Sequence, residues 1–355
     1  MKIRKSNLEL CRIVCMLLII AHHCVVHGGG ISLEPGLNRT ISLFLMPGGK
    51  LCFDAFLALS TWFLVDQDFR TERFIKIWLE VFFYSVTFAV ITYLIQGGFT
   101  WRNWFSIFFP ITGNSHGFAA SYLILYLLIP FLSRIKEHLN QTQATMLLLI
   151  LFYVQIGSQL IGNISLYFQP IYSEILLFVL CYFIAFYIKK WPFKFWNNKL
   201  LLAFGFISCW LLLFAIRYFG TLYPANTLLG YLIAITGDES SIFNLIGGYL
   251  LFLFFYSLPV KDSKIINQIA KPTFGILLIH DHNFFRPIVW YNIIRTDTWY
   301  DSDVFLIRIG LATLFIYVVG AAIDYTRMYV LERPIFKSQK LKTLCQKFDT
   351  IINNY

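Results

Sequence analysis

The chain has 355 residues, 58% of them hydrophobic and 14% charged, against about 45–50% and about 25% in soluble domains. Too little polar surface remains to coat a soluble globule, so the bilayer is the expected solvent and an all-α polytopic integral membrane protein the expected fold class. The 37 Phe and 20 Tyr residues suit lipid-facing helices with interfacial belts. The formal net charge of +10 follows the loops between apolar runs, so no nucleic-acid partner is expected.

Apolar runs of roughly 17–25 residues, the length that spans a ~30 Å hydrocarbon core, fall near 8–26, 51–66, 77–96, 117–133, 143–162, 172–189, 199–218, 241–259, 272–290 and 304–324. About ten transmembrane helices are therefore expected. No cleavage pattern follows the first run, which should stay as a helix. The second is short, Trp101 to Ile111 reads as a loop or as an interfacial or re-entrant piece, and the ninth is interrupted by His280, Asp281, His282 and Arg286. Alternate loops and the tails carry 21 of the 29 basic residues. By the positive-inside rule both termini are cytoplasmic, as an even number of spans requires. Residues 1–334 are expected to form the membrane domain, and 335–355 a short basic cytoplasmic tail suited to the inner membrane surface.

The seven cysteines, Cys11, Cys15, Cys24, Cys52, Cys181, Cys209 and Cys345, show no CxxC spacing and read as small packing residues. Chemistry is expected where polarity interrupts the helices, because ionisable groups at membrane depth face a cavity or one another. In the first helix Arg12 and His23 are eleven residues apart, so they differ by only about 20° around the axis and ~16 Å along it. They share one stripe, and Glu9 stands one turn before Arg12, where it can hold the guanidinium. The plainer alternative is that Arg12 and His23 snorkel to opposite headgroup layers. In the second helix Asp54 should reach a depth similar to His23, where a carboxylate fixes an imidazole's tautomer and raises its basicity; a packing or capping role is the alternative. Ser60, two turns deeper, reads as a helix-packing residue.

These residues resemble the bacterial membrane acyltransferase family 3. The first helix carries Glu9-x-x-Arg12-x10-His23, where that family has R-x10-H, and the second Phe53-Asp54-Ala-Phe56-Leu-Ala-Leu-Ser60, similar to its V-D-x-F-F-x-x-S-G-F run. Arg73-Phe-Ile-Lys76 is similar to the basic motif entering the third helix. Ala120-Ser-Tyr122-Leu-Ile-Leu-Tyr126 through Pro130 is similar to A-Y-L-x-L-Y-L-x-x-P-F-L, and Ile269-Ala-Lys271 through His280-Asp281 to A-K-x-T-F-G-x-Y-L-I-H-D; Asp324-Tyr-Thr-Arg327 closes the series. The resemblance covers most of the chain. Two departures stand out: Ser60-Thr61-Trp62 replaces S-G-F, and Lys76 replaces an arginine, keeping charge but losing bidentate phosphate geometry.

The resemblance implies transfer of an acyl group, usually acetyl, from cytosolic acyl-CoA to a hydroxyl of a cell-surface or lipid-linked glycan at the bacterial plasma membrane. Acetyl-CoA is then a co-substrate, with no bound cofactor. Arg12, Arg73 and Lys76, near the cytosolic face, are the expected acyl-CoA-binding residues. His23, positioned by Asp54, is the expected general base, its pKa suiting proton removal from a sugar hydroxyl; an acyl-imidazole relay is the variant. His280 is expected to support an oxyanion or line the acceptor cleft, and Arg286, His116 and Tyr122 to meet the acceptor, with structural roles equally open for each. The HDxH string lacks further acidic or thiol ligands, so no metal site is expected. A non-enzymatic flippase or transporter of envelope oligosaccharides remains the alternative, because intramembrane Arg, His and Asp also line transport paths. A polysaccharide polymerase would be expected to carry a larger, basic outer loop.

Overall fold

Why the chain folds as helices follows from its hydropathy. In hydrocarbon every backbone N–H and C=O must be satisfied within the segment, which a helix does and an open strand does not. A computed structural model of the chain describes residues 5–112, 117–158, 160, 173–192 and 198–353. Among them the regular elements are all helical and no strand occurs.

The first half contains α1 (Ser6–His27), α2 (Leu37–Leu45), α3 (Pro47–Leu64), α4 (Thr71–Gln96), α5 (Trp101–Phe108), α6 (Gly117–His138) and α7 (Gln141–Phe152). The second contains α8 (Glu174–Lys190), α9 (Lys199–Leu222), α10 (Thr227–Thr236), α11 (Ile242–Ser257), α12 (Thr273–His280), α13 (Phe305–Arg327) and the tail helix α14 (Gln339–Asn353). Among the described residues six stretches are long and apolar enough to cross a membrane by themselves: Ser6–His27, Leu37–Leu64, Thr71–Gln96, Gly117–His138, Lys199–Leu222 and Phe305–Lys337. The remaining expected spans fall on the shorter helices α7, α8, α11 and α12. The protein is thus an all-α membrane protein, and over the described residues every apolar run but the ninth coincides with a helix.

The ninth run departs from expectation. It is not a continuous span: α12 stops at His280, and helix resumes at Arg286 and Pro287, running on into the turns of Ile288–Ile293. The cause is local. The Nδ1 atom of His282 accepts from the backbone N–H groups of Phe284 and Phe285, both at 3.3 Å, and Pro287 sits in the first turn of the helix that follows, where no N–H is needed. The Trp101 region forms a helix closed by a Thr100–Asn103 capping box, with Trp101, Phe105 and Phe108 exposed and Ile107 buried. That one-sided apolar exposure suits an interfacial helix.

At the core α3 packs between α1 and α11, with α8 on a further side, while α13 covers the opposite flank of α1. The α3–α11 approach is close because Gly248 has no side chain: a Cβ there would stand 2.5 Å from Asp54 Cβ and 2.8 Å from the backbone of Ala55 and Leu51. Small residues are what allow helices to meet backbone to backbone in a bilayer. Gly248→Ala is therefore expected to cost about 1–3 kcal/mol through overpacking. A thermal melt of the purified protein in detergent reads this directly, and an unchanged midpoint would contradict it.

One end of the bundle carries Lys136 and Lys189 beside the start of α1. Ser6 at the start of α1 accepts a hydrogen bond from Ser263 N at 2.7 Å, Lys189 at the end of α8 pairs with Asp66 at 2.5 Å, and Lys136 of α6 bonds the Val65 carbonyl. The tail helix docks here too. Asp349 accepts from Thr71 N at 2.6 Å and Asn353 donates to Phe69 O at 3.0 Å, so α14 satisfies the open N-terminus of α4. Its far face exposes Leu344, Phe348 and Ile351.

Candidate active site

At the other end, where α1 and α12 finish and α3, α6 and α8 begin, a cavity of about 240 Å³ opens. Its polar lining is His22, His23, Lys50, Glu174, Glu239 and Asp281, over an apolar floor that includes Phe53, Phe56 and Phe118. Lys50 and Glu239 form an ion pair across it. The loop that carries Glu239 is held by Asn244, whose amide donates to Thr236 O at 3.2 Å and Asp238 O at 2.8 Å.

Helix periodicity explains the histidine cluster. In α1, His23 and His27 are one turn apart and face the same side, with ring centroids 5.0 Å apart. His22, about 100° round, turns instead toward the α2–α3 junction and bonds the Met46 carbonyl at 2.5 Å. That carbonyl also accepts from the Gly49 N–H at 3.4 Å, its two lone pairs serving two partners. The His22 ring passes where Gly49 lies, and a Cβ at Gly49 would come within 2.3 Å of it.

The break in α12 delivers three more groups. His280 Nε2 lies 3.0 Å from His23 Nδ1, and His280 Nδ1 lies 2.6 Å from the Ile276 carbonyl. Asp281, in the turn, stands 3.8 Å from His23 Nδ1 and 3.9 Å from His27 Nε2. Arg286 reaches back to Asp281 at 3.1 Å and to His27 Nε2 at 3.3 Å. His282 turns away and lies buried, its Nε2 3.2 Å from the Ser85 carbonyl. Among the described residues the donor atoms of His23, His27 and Asp281 lie within 4.8 Å of one another, a spacing that would suit a metal. Arg286 already supplies the positive charge there, and its N–H groups occupy the Asp281 carboxylate and the His27 lone pair.

The carboxylate facing His23 is therefore Asp281, which corrects the expected pairing with Asp54. Asp54 is wholly buried beside Gly248, and neither of its oxygens accepts a hydrogen bond among the described residues. The difference lies in rotation about α3. Lys50, Phe53 and Phe56 face the cavity, and Asp54 lies about 100° from Phe53.

Toward the basic end, Arg73 is bound to Gln67 and donates to the Tyr122 hydroxyl at 3.3 Å, with its guanidinium 5.4 Å from the Tyr126 ring centre. Tyr122 therefore belongs with Arg73, and not with an acceptor entering from the far side as expected. Its ring stacks on Phe118 at 6.3 Å, with 5° between the planes, and Phe118 is part of the cavity floor. Arg73, Tyr122 and Phe118 thus connect the basic end to the histidine cavity. Arg12 stands 3.9 Å from Glu9, as expected, and 5.9 Å from the Phe63 ring centre. Lys76 is drawn elsewhere, to Glu332 at 2.6 Å. There it joins a buried network in which Arg327 binds Asp324 at 2.8 Å, Glu80 at 3.0 Å and Glu332 at 3.2 Å. His116 lies outside the described residues.

A family model described as an acyltransferase domain matches residues 5–325. The chain belongs to acyltransferase family 3. No curated protein and no solved structure matches it. As a family 3 acyltransferase, the protein catalyses acyl transfer to a hydroxyl, and the arrangement offers the parts that reaction needs: an imidazole at a polar cavity and cations near the opposite end. Sequence reasoning missed four of these groups. His27 was visible as the residue one turn after His23. Lys50, Glu174 and Glu239 carry no motif and meet only through the fold.

Proposed function

We propose that this acyltransferase moves an acyl group, acetyl foremost, from acyl-CoA at the basic, cytoplasmic end to a hydroxyl of a cell-surface or lipid-linked glycan, with His23 as general base. The observation that carries the reading is the continuity of Arg73, Tyr122 and Phe118 with the cavity that holds His23. Arg73 and Arg12 suit the CoA phosphates, since guanidinium binds phosphate through charge-assisted, often paired hydrogen bonds. Arg12 and His23 lie on one unbroken helix, which sets them ~16 Å apart along its axis, on the order of an extended pantetheine arm. A thioester led along that stripe arrives beside His23, where the acceptor enters from the other side of the membrane.

The chemistry balances without a cofactor. His23 Nε2 takes the acceptor hydroxyl proton as that oxygen bonds to the thioester carbonyl carbon. The tetrahedral intermediate then expels CoA thiolate, which regains the proton from His23.

Purified protein in liposomes, supplied with labelled acetyl-CoA and an envelope glycan fraction, is expected to place the label on the glycan. Arg73→Gln should raise the KM for acyl-CoA about tenfold, the effect of ~1.4 kcal/mol of lost binding, with kcat little changed. Transport of glycan without label, or an unaltered donor KM in Arg73→Gln, would overturn the corresponding part of the reading.

A further inference from the structure

We propose that His280 is the positioning residue of this site: it accepts the Nδ1 proton of His23, locks His23 in the tautomer whose Nε2 is the base, and stabilises the imidazolium that forms during transfer. The inference rests on the reading of His23 as general base.

The hydrogen-bond inventory fixes each proton in turn. A carbonyl oxygen can only accept, so the 2.6 Å contact between His280 Nδ1 and Ile276 O requires a proton on His280 Nδ1. The 3.0 Å contact between His280 Nε2 and His23 Nδ1 then has one proton to share. If His280 Nε2 carried it, His280 would be an imidazolium with no accessible surface and no carboxylate within ion-pair distance among the described residues. Burying an unpaired charge is far costlier than burying a neutral, hydrogen-bonded ring. The proton therefore sits on His23 Nδ1, and His23 donates. His23 Nε2 has no partner among the described residues and is not one of the sealed, unpartnered atoms, so its lone pair is the one left for the cavity that His23 lines.

The arrangement repeats the logic of an Asp–His pair, with a neutral ring and a backbone carbonyl in the carboxylate's place. When His23 takes a proton on Nε2, its Nδ1–H becomes a stronger donor, and the Ile276 carbonyl polarises His280 to accept it. Other charges face His23 as well. On α1 these are its neighbours His22 and His27, and after α12 they are Asp281 and the Arg286 bound to it. Across the cavity stand the Lys50–Glu239 pair and Glu174. Asp281, at 3.8 Å, is beyond hydrogen-bond reach of His23 Nδ1 and already holds Arg286. Its field favours the imidazolium, but it does not choose the tautomer.

The test compares His280→Leu with His280→Gln, whose amide can accept from His23 and donate to Ile276 O. Both are assayed against the wild type for kcat, donor KM and the pH dependence of kcat/KM. His280→Leu is expected to lose about 10- to 100-fold in kcat, the scale of a lost imidazole-orienting partner, with donor KM unchanged. Without the acceptor the imidazolium is less stabilised, so the acidic limb of the profile should move to lower pH. His280→Gln should recover much of kcat and return the limb toward the wild-type position. Wild-type kcat in His280→Leu alongside an inactive His23→Ala would overturn the role of His280 while leaving His23 as base. An equal loss in both His280 variants with an unmoved acidic limb would overturn it too, marking the residue as purely structural. An active His23→Ala would overturn the underlying reading instead.

Discussion

Replacing His23 with alanine is expected to lower kcat for acyl transfer by about three orders of magnitude, within the 10²–10⁴-fold range of a positioned general base. The protein should still insert and still bind acyl-CoA. The separation of effects follows from the site. His23 is only slightly exposed and its hydrogen-bond partner is another side chain, His280, so its loss leaves no backbone group unsatisfied. Arg73 and Tyr122, on the proposed donor side, are joined to each other and not to His23. Equilibrium binding of acyl-CoA and a single-turnover assay on the same preparation distinguish the two effects. Label transfer at the wild-type rate would remove His23 from the chemistry.

Arg327→Leu is expected to be the most damaging substitution for stability. Arg327 is buried and answers three carboxylates, Glu80, Asp324 and Glu332. Asp324 also accepts from the Tyr84 hydroxyl at 2.8 Å. Removing the one guanidinium leaves Lys76 alone, at Glu332, to balance the cluster among the described residues. Breaking a buried pair from one side typically costs about 3–5 kcal/mol, because the remaining charge is stranded. The expected readout is a sharply lower melting temperature and a smaller monodisperse fraction after extraction. Arg327→Lys should fall between, since it keeps the charge but loses the planar fork that serves several carboxylates together. Equal stability of Arg327→Leu and wild type would show that the network contributes nothing net.

What the sequence made legible was set by periodicity and hydropathy. Apolar runs marked the helices because hydrocarbon leaves the backbone no alternative, and the 3.6-residue period put Arg12 and His23 on one stripe, which α1 preserves. The same period did not rescue Asp54, because a helix wheel gives relative angles and not which neighbour each angle meets. Lys76 was read by charge as a phosphate ligand, yet Glu332, more than 250 residues away, claims it. Tyr122 sits near the far end of α6, but a side chain as long as that of Arg73 reaches it from a helix entering at the other end. The break after His280 was signalled by its polar string, and its consequence was not: the turn swings Asp281 and Arg286 onto α1. Contacts between remote positions are what composition and spacing do not encode.

The docking of α14 on α4 gives the protein a built-in order of completion. Thr71 N is capped by Asp349, 278 positions further along the chain, and Arg73 follows Thr71 by two residues. During synthesis the early helices enter the membrane first, and the start of α4 waits, uncapped, until Asp349 and Asn353 have been made. The start of α4, and with it Arg73, therefore acquires its final surroundings only after the histidine cavity has most of its walls.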